Sequence, residues 1–482
     1  MRSKFSAYFM LLSVVIMFAS CLKDKDENIT YHGDSAITAF SVVTAKRYAH
    51  TTSKSGADSV YRANVSCSNY KFYIDQIACE IYNPDSLPKG IDLKKLICSI
   101  TSRNSGTILI NLSSVSNHDT LKVYSSTDSL DFSMPREVRV YNEQSTSYRT
   151  YTVRVNVHQQ DGDAMTWNQE KASELNFAKA SQIRLAAVGN NVYGFGLSQE
   201  DGSTWMMDLK KRVASGDTDE GSFNILHFGY DAISNVVSYG NRLAVYDDNG
   251  LHSLTLADDG TEQWAHTKVI YGEDKKEIDL KQLVGMSDKE MYAIGTDGML
   301  LVSTDNGLTW AEEQLDKAVS YLPDNQISCT VHDVKTNEGI ERVELSGYNE
   351  EEGKFVFWTK IVDKAKPGAH SVWLFSGGGY DKAFWLPSAD NTRILAYGDG
   401  NIAIGCSSSG AFSPIYVSKD GGITWQKSTT YTHPSEILCS GIFDAAADDD
   451  GYIWLVCGGS GQIWRGMLNR YGWEEVQKSF TE

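Results

Sequence analysis

The chain has 482 residues, more than a single hydrophobic core usually organises, so at least two domains are expected. Hydrophobic residues make up 41% and charged ones 22%, while 40 Gly and 25 Tyr against 8 Pro favour many strands joined by tight turns. With 62 acidic against 44 basic residues the formal charge is −18, a sign that repels phosphate backbones and argues against a nucleic-acid partner.

Arg2 and Lys4 precede an apolar run from Tyr8 to Ala19 that is short for a bilayer span and ends in Phe18-Ala19-Ser20-Cys21. Residues 1–20 read as a signal peptide. The small residues before Cys21 resemble a bacterial lipobox, which implies that Cys21 receives a lipid and becomes the mature N-terminus, with a membrane as partner through that anchor. Residues 21–35 are charged and unpatterned, as in a solvated tether. Within it Lys25-Asp26-Glu27 resembles the export signal of Bacteroides-type lipoproteins, which implies the outer face of the outer membrane. Seven further cysteines stand at 67, 79, 98, 329, 406, 439 and 457, an odd number with no CxxC. Cys406 and Cys457 fall at matching places in successive repeats and read as small core residues. A pair among Cys67, Cys79 and Cys98 stays open.

Residues 36–160 alternate in strand fashion, as in Tyr61-Arg62-Ala63-Asn64-Val65-Ser66-Cys67. Phe72–Ile74, Thr107–Ile110, Leu121–Tyr124, Val138–Tyr141 and Tyr151–Val157 are further strands bounded by turn residues. Roughly seven short strands in about 120 residues fit an immunoglobulin-like sandwich. Ile81-Tyr82-Asn83-Pro84-Asp85-Ser86-Leu87-Pro88 and Ser147-Tyr148-Arg149-Thr150-Tyr151-Thr152-Val153 resemble the Ig-like modules behind the lipobox of Bacteroidetes surface lipoproteins, which implies a spacer. Asp34-Ser35, Asp58-Ser59, Asp85-Ser86, Asp119-Thr120 and Asp128-Ser129, each followed by an apolar residue, resemble O-glycosylation sites of such proteins. The plainer reading is that they end turns.

The second half repeats itself. Ser303-Thr304-Asp305-Asn306-Gly307-Leu308-Thr309-Trp310 and Ser418-Lys419-Asp420-Gly421-Gly422-Ile423-Thr424-Trp425 both read S-x-D-x-G-x-T-W. They resemble the Asp-box (BNR repeat) of sialidase-like propellers, where Asp caps a tight turn, Gly takes a conformation other residues resist and Trp packs between blades. Asp258-Asp259-Gly260 before Trp264, and Asn469–Trp473, occupy the box position in degraded form. Ser198–Trp205 also scores as a box but falls between second and third strands, as a hairpin tip. First-hairpin turns near Gly189, Gly240, Asp288, Thr336, Asp399 and Asp450 are spaced by 51, 48, 48, 63 and 51 residues. The expectation is an all-β protein: a β-sandwich, then a β-propeller over 164–482 with six blades, seven remaining open. Either Trp167-Asn168-Gln169 or the last strand completes the closing blade.

The resemblance puts the boxes opposite the usual ligand face, so Ser303, Asp305, Gly307, Trp310, Ser418, Asp420, Gly422 and Trp425 are structural. The ligand face is then built from second-to-third-strand turns and inter-blade loops. Asp201, Asp248, Asp297 and Glu351 mark the turns, and Tyr380, Trp385, Tyr431 and His433 mark the loops, as carboxylates and an aromatic platform for a sugar. Hairpin-tip capping and blade packing are the competing readings. A sialidase needs an arginine cluster and an R-I-P motif. The seven arginines at 184, 212, 242, 342, 393, 465 and 470 include none in that context, and Arg184 falls inside a strand. No H-E-x-x-H, G-x-S-x-G or P-loop occurs, and no metal or cofactor is called for. The leading reading is a non-catalytic surface lipoprotein whose propeller binds a glycan or a partner protein. A glycan-active hydrolase and an envelope assembly factor are the alternatives.

Overall fold

The computed structural model describes residues 33–52, 58–112, 120–215, 225–369, 371–377 and 381–472. Residues 1–20, Cys21 and most of the tether lie outside these, as do Asp119, Tyr380 and Trp473. The chain divides into two compact units, one holding residues up to Gln160 and one spanning Asp161–Trp473. Among the described residues no helix is long and apolar enough to cross a membrane.

The first unit is two sheets around one core. One sheet runs in the order Asp58–Ser66, Ile37–Thr52, Leu96–Ser102, Ser129–Leu130. The other runs Tyr73–Asp75, Glu80–Tyr82, Tyr148–Arg154, Arg136–Tyr141, Ile108–Asn111, Leu121–Val123, and pairs Tyr148–Arg154 in parallel with Glu80–Tyr82. Alternate residues supply the core: Phe40, Val42, Cys98 and Ile100 from the first sheet meet Ile81, Val138, Val140 and Val153 from the second. Cys67, Cys79 and Cys98 carry free thiols, and burial pushes the Cys98 thiol up to about 12. Ser86 is 1% exposed, so among the Asp-Ser pairs this one cannot present a hydroxyl for glycosylation in the folded state.

The second unit is six sheets, consecutive in sequence and antiparallel apart from one parallel pairing in the third, between Ile270–Gly272 and Thr309–Glu312. Their first strands are Ile183–Val188, Val236–Tyr239, Leu280–Met286, Asn325–Val334, Asn391–Tyr397 and Phe443–Ala447. Each packs on the first strand of the next sheet, and the sixth packs on the first, so the ring is closed as in a β-propeller. Strand Met165–Lys171 completes the sixth sheet by pairing with Ile463–Leu468. The Trp167 segment therefore supplies the closing strand. The third sheet is extended by Ile270–Gly272 and Glu277–Ile278. A buried apolar cluster fills each of the six junctions.

Both S-x-D-x-G-x-T-W segments join third and fourth strands with nearly one geometry. Ser303 Oγ accepts the Gly307 amide at 2.9 Å, and Asp305 accepts the Thr309 amide at 2.8 Å and its hydroxyl at 2.6 Å. Ser418 and Asp420 repeat this at 2.9, 2.9 and 2.6 Å. Gly307 and Gly422 have φ of 86° and 84°, and a side chain there would run into Leu251 or Phe357 of the preceding sheet. Trp310 and Trp425 are each 2% exposed and donate Nε1 to the Gly307 and Gly422 carbonyls. Ser198–Trp205 lies between second and third strands, where Asp201 caps its own turn.

The junction of sheets three and four holds a buried ion cluster. Lys360 Nζ lies 2.8 Å from Glu290 and 2.5 Å from Glu313, all three side chains at most 1% exposed. Tyr292 donates its hydroxyl to Glu290 at 2.6 Å. The Tyr292–Glu290 pair lies within the third sheet and is shielded from solvent, and Lys360, from the fourth sheet, ties the two sheets together.

Candidate functional site

Strand direction alternates within each sheet, so the second-to-third-strand turns share one face and the first-hairpin and box turns share the other. Asp201, Asp248, Asp297 and Glu351 sit in the former set and are exposed. Two of them are committed to their own turns. Asp201 accepts the Ser203 amide and hydroxyl, which with the Ser198 hydroxyl hold its carboxyl down at about 2, and Asp297 accepts the Met299 amide at 3.0 Å. Among the described residues no group of three or more His, Cys, Asp or Glu is placed to hold a metal ion.

The loop aromatics do not assemble as one platform. Trp385 stacks under the ammonium groups of Lys354 and Lys382, at 4.6 and 5.4 Å, beside the fourth sheet. Tyr431 packs edge-on against Tyr397, and His433 lies on Phe412 with Nε2 donating to Ser413 O at 2.6 Å, both at the junction of sheets five and six. These two side chains are half-buried blade packing, the reading that competes with a platform. Tyr380 lies outside the described residues.

A cleft of about 680 Å³ opens instead on the outer side of the junction between sheets one and two. Its origin is the degraded box. Aligned on Asp305 and Asp259, the second sheet has Ala257 for Ser303, Thr261 for Gly307 and Gln263 for Thr309, so the hydroxyl anchors at 303 and 309 have no counterpart and the left-handed glycine stands one place earlier, at Gly260. The tryptophan survives but is not tucked in: Trp264 is 37% exposed and donates Nε1 to Glu262 at 3.3 Å. The facing fourth strand of the first sheet, Leu226–Phe228, is only three residues long and pairs with Thr204–Met206, so Met207 and Asp208 have no partner in it.

Around this gap the aromatics face one another. Phe228 lies 6.4 Å from Trp264 and edge-on to His252 at 5.3 Å, and His252 stacks on His266 at 4.5 Å. Glu262 is the polar centre. It accepts the Tyr193 hydroxyl at 3.0 Å, Lys211 at 3.2 Å and the Trp264 indole. Burial pushes its carboxyl up, but these donors outweigh it and hold the group below the usual carboxylate range. Lys211 is raised by its hydrogen bond to Asp208, 3.1 Å away, more than burial lowers it. Asp208 in turn caps the helix Leu209–Ala214 by accepting the Lys211 amide. At the end nearer the second-to-third-strand turns, Asp247 accepts the Gly229 and Asn249 amides and faces His252 Nε2 at 3.3 Å.

Apart from Asp247 and Asn249, which belong to the acidic turn around Asp248, the sequence marks none of these residues except Trp264, and that only as a worn repeat. The available signal was a copy that lost its serine and threonine and shifted its glycine yet kept its tryptophan.

The family profile described as the DUF6242 beta propeller domain matches residues 161–476, and that of the DUF6242 N-terminal domain matches residues 40–155. The chain belongs to the DUF6242 family. No curated protein matches it. Among solved structures it is similar to a protein of unknown function from Bacteroides thetaiotaomicron, at 9% identity over 82% of this chain and 98% of that one, with a TM-score of 0.36. It is also similar to YCF48 bound to D1 peptide, at 13% identity, 62% and 80% coverage and a TM-score of 0.30. The Hadza microbial sialidase Hz136 gives 8% identity, 87% and 81% coverage and a TM-score of 0.26. Likeness at this level carries no functional inference.

Proposed function

We propose that this DUF6242 protein is a binding module whose cleft at Trp264 takes a glycan. In this reading the six sheets are the blades of a six-bladed Asp-box propeller. An Ig-like spacer and a lipid on Cys21 carry it at the outer-membrane surface. The observation that supports the ligand class is the exposed indole of Trp264 beside Phe228, with Glu262 and Lys211 fixed next to it as acceptor and donor for hydroxyls. A flat apolar face bordered by ordered hydrogen-bonding groups suits a sugar ring, whose faces are apolar and whose edges are polar.

A hydrolase in the same cleft would need a carboxyl that stays protonated near neutrality as general acid. Glu262 is held in the opposite direction. The experiment is a glycan array with the purified chain, followed by titration of any hit against Trp264→Ala and Glu262→Gln. Trp264→Ala should weaken binding roughly ten-fold, the scale of a central aromatic anchor, with little change in unfolding. No hit on the array, or an unchanged affinity in Trp264→Ala, removes the proposal. Release of a shortened glycan would establish the hydrolase.

A further inference from the structure

At the junction of sheets three and four an amine is held against two carboxyl groups in a site closed to solvent. The Lys360 side chain is 0% exposed, and those of Glu290 and Glu313 are 1% exposed. We propose that Lys360 and Glu313 condense into an isopeptide bond, with Glu290 as the proton carrier, so that sheets three and four are joined covalently.

The three residues come from separate elements. Lys360 lies on the third strand of sheet four, Lys354–Asp363. Glu290 ends the first hairpin turn of sheet three, just ahead of Met291–Gly295, and Glu313 follows the fourth strand of that sheet, Thr309–Glu312. Nζ is 2.5 Å from Glu313 Oε1, which puts the carboxyl carbon at roughly the 3–3.5 Å of a near-attack arrangement. Glu290 is pinned beside the same nitrogen. Its Oε2 lies 2.8 Å from Nζ and accepts the Tyr292 hydroxyl at 2.6 Å, while Oε1 accepts the Gly368 amide at 2.7 Å. The Tyr292 ring centre is 5.3 Å from Nζ, and Tyr292 shares one buried apolar cluster with Trp358, Val362 and Trp373.

A lysine is almost never fully buried without compensation, and here one positive and two negative groups are confined where charge is costly. Condensation removes one of each sign. A first proton passes from Nζ to Glu313 along the 2.5 Å contact, leaving a neutral amine and a neutral carboxyl. The Nζ lone pair then bonds to Cδ of Glu313. Glu290 takes a second proton from Nζ and gives it to the departing hydroxyl, the Cδ–O bond breaks, and one water leaves. Glu290 ends as it began, a carboxylate, and no oxidant or reductant is consumed. Exclusion of water from the site opposes the reverse hydrolysis.

The test is mass spectrometry of the purified chain, denatured and digested with trypsin. Cleavage after lysine and arginine releases residues 290–317 and 355–360 of an unlinked chain as separate peptides. An acylated Lys360 is not cut, so the expected species is 290–317 joined to 355–364, lighter than the two together by one water, with fragmentation placing the branch on Glu313. Glu290→Gln should give the separate peptides from a chain that is folded by circular dichroism. Wild type recovered only as separate peptides, or with its branch on Glu290, overturns the bond, and a fully linked Glu290→Gln chain overturns the proton carrier. Because the linkage is read on denatured wild-type protein, the result for the bond does not depend on the variant folding.

Discussion

His433 donates Nε2 to a carbonyl oxygen, so the proton of the neutral ring sits on that nitrogen, and Nδ1 is buried without a partner. Burial pulls its pKa below the ordinary histidine value, more than the Ser413 carbonyl pushes it up. The unfolded chain therefore takes up the second proton first as pH falls. The stability this side chain confers is complete above about pH 6.5, the unfolded value, and is lost as pH drops through the lower folded value. The urea midpoint should fall as pH drops below about 6.5, and His433→Phe should flatten that slope; equal slopes would refute the assignment. At this scale the sequence was informative where a side chain serves its own neighbourhood. Asp305, Asp420 and Asp201 bond to backbone within four residues, so residue order alone carries the message. Trp264, Glu262 and Lys211 meet across two sheets, and Lys360 meets Glu290 and Glu313 across another junction. Neither meeting leaves a mark in local spacing.

The repeated turn is an element with its own electrostatics. Burial raises the Asp305 carboxyl, but the Thr309 hydroxyl and amide and the Ser303 hydroxyl together bring it below its ordinary value. Its contribution is present above about pH 4 and fades as pH falls through the depressed folded value. Because the group is solvent-exposed, Asp305→Ala should cost only about 1 kcal/mol in urea unfolding at neutral pH, and that difference should vanish in acid. The ion cluster at the junction of sheets three and four behaves otherwise. Lys360→Ala leaves Glu290 and Glu313 facing each other in a dry interface, and a loss of about 3–5 kcal/mol is expected in the same measurement. A loss below about 1 kcal/mol would mean that water reaches the pair. Among elements, the strand Ile37–Thr52 escaped the sequence reading although it is the longest in the first unit. Its pairing with Leu96–Ser102 shifts register at Ile37/Ala39 and Val42/Thr44, and each bulge breaks the two-residue alternation that marks a strand.

For the whole second unit, the hairpin turns near Gly189, Gly240 and Asp399 lie where the repeat placed them, since a positive φ at Gly189, Gly240 and Gly398 forces the bend locally. The wide spacing before Asp399 has a plain cause: the fourth sheet is built from strands of 10, 13 and 10 residues. What spacing left undecided was the strand that shuts the ring. A chain beginning at Asp161 retains Met165–Lys171 and should unfold in one transition. A chain beginning at Ala172 leaves the edge of Ile463–Leu468 bare and should lose cooperative unfolding by circular dichroism or aggregate. Equal melting of the two chains would show that the closing strand is dispensable. The pairing of Met165 with Leu468 also sets a timetable. A ribosome delivers the first partner about three hundred residues before the second, so five sheets must wait with an unmatched border while the sixth is made. Contacts so distant in sequence make for slow folding, on the order of milliseconds to seconds, and a growing chain is most in need of a chaperone just before its final strand emerges.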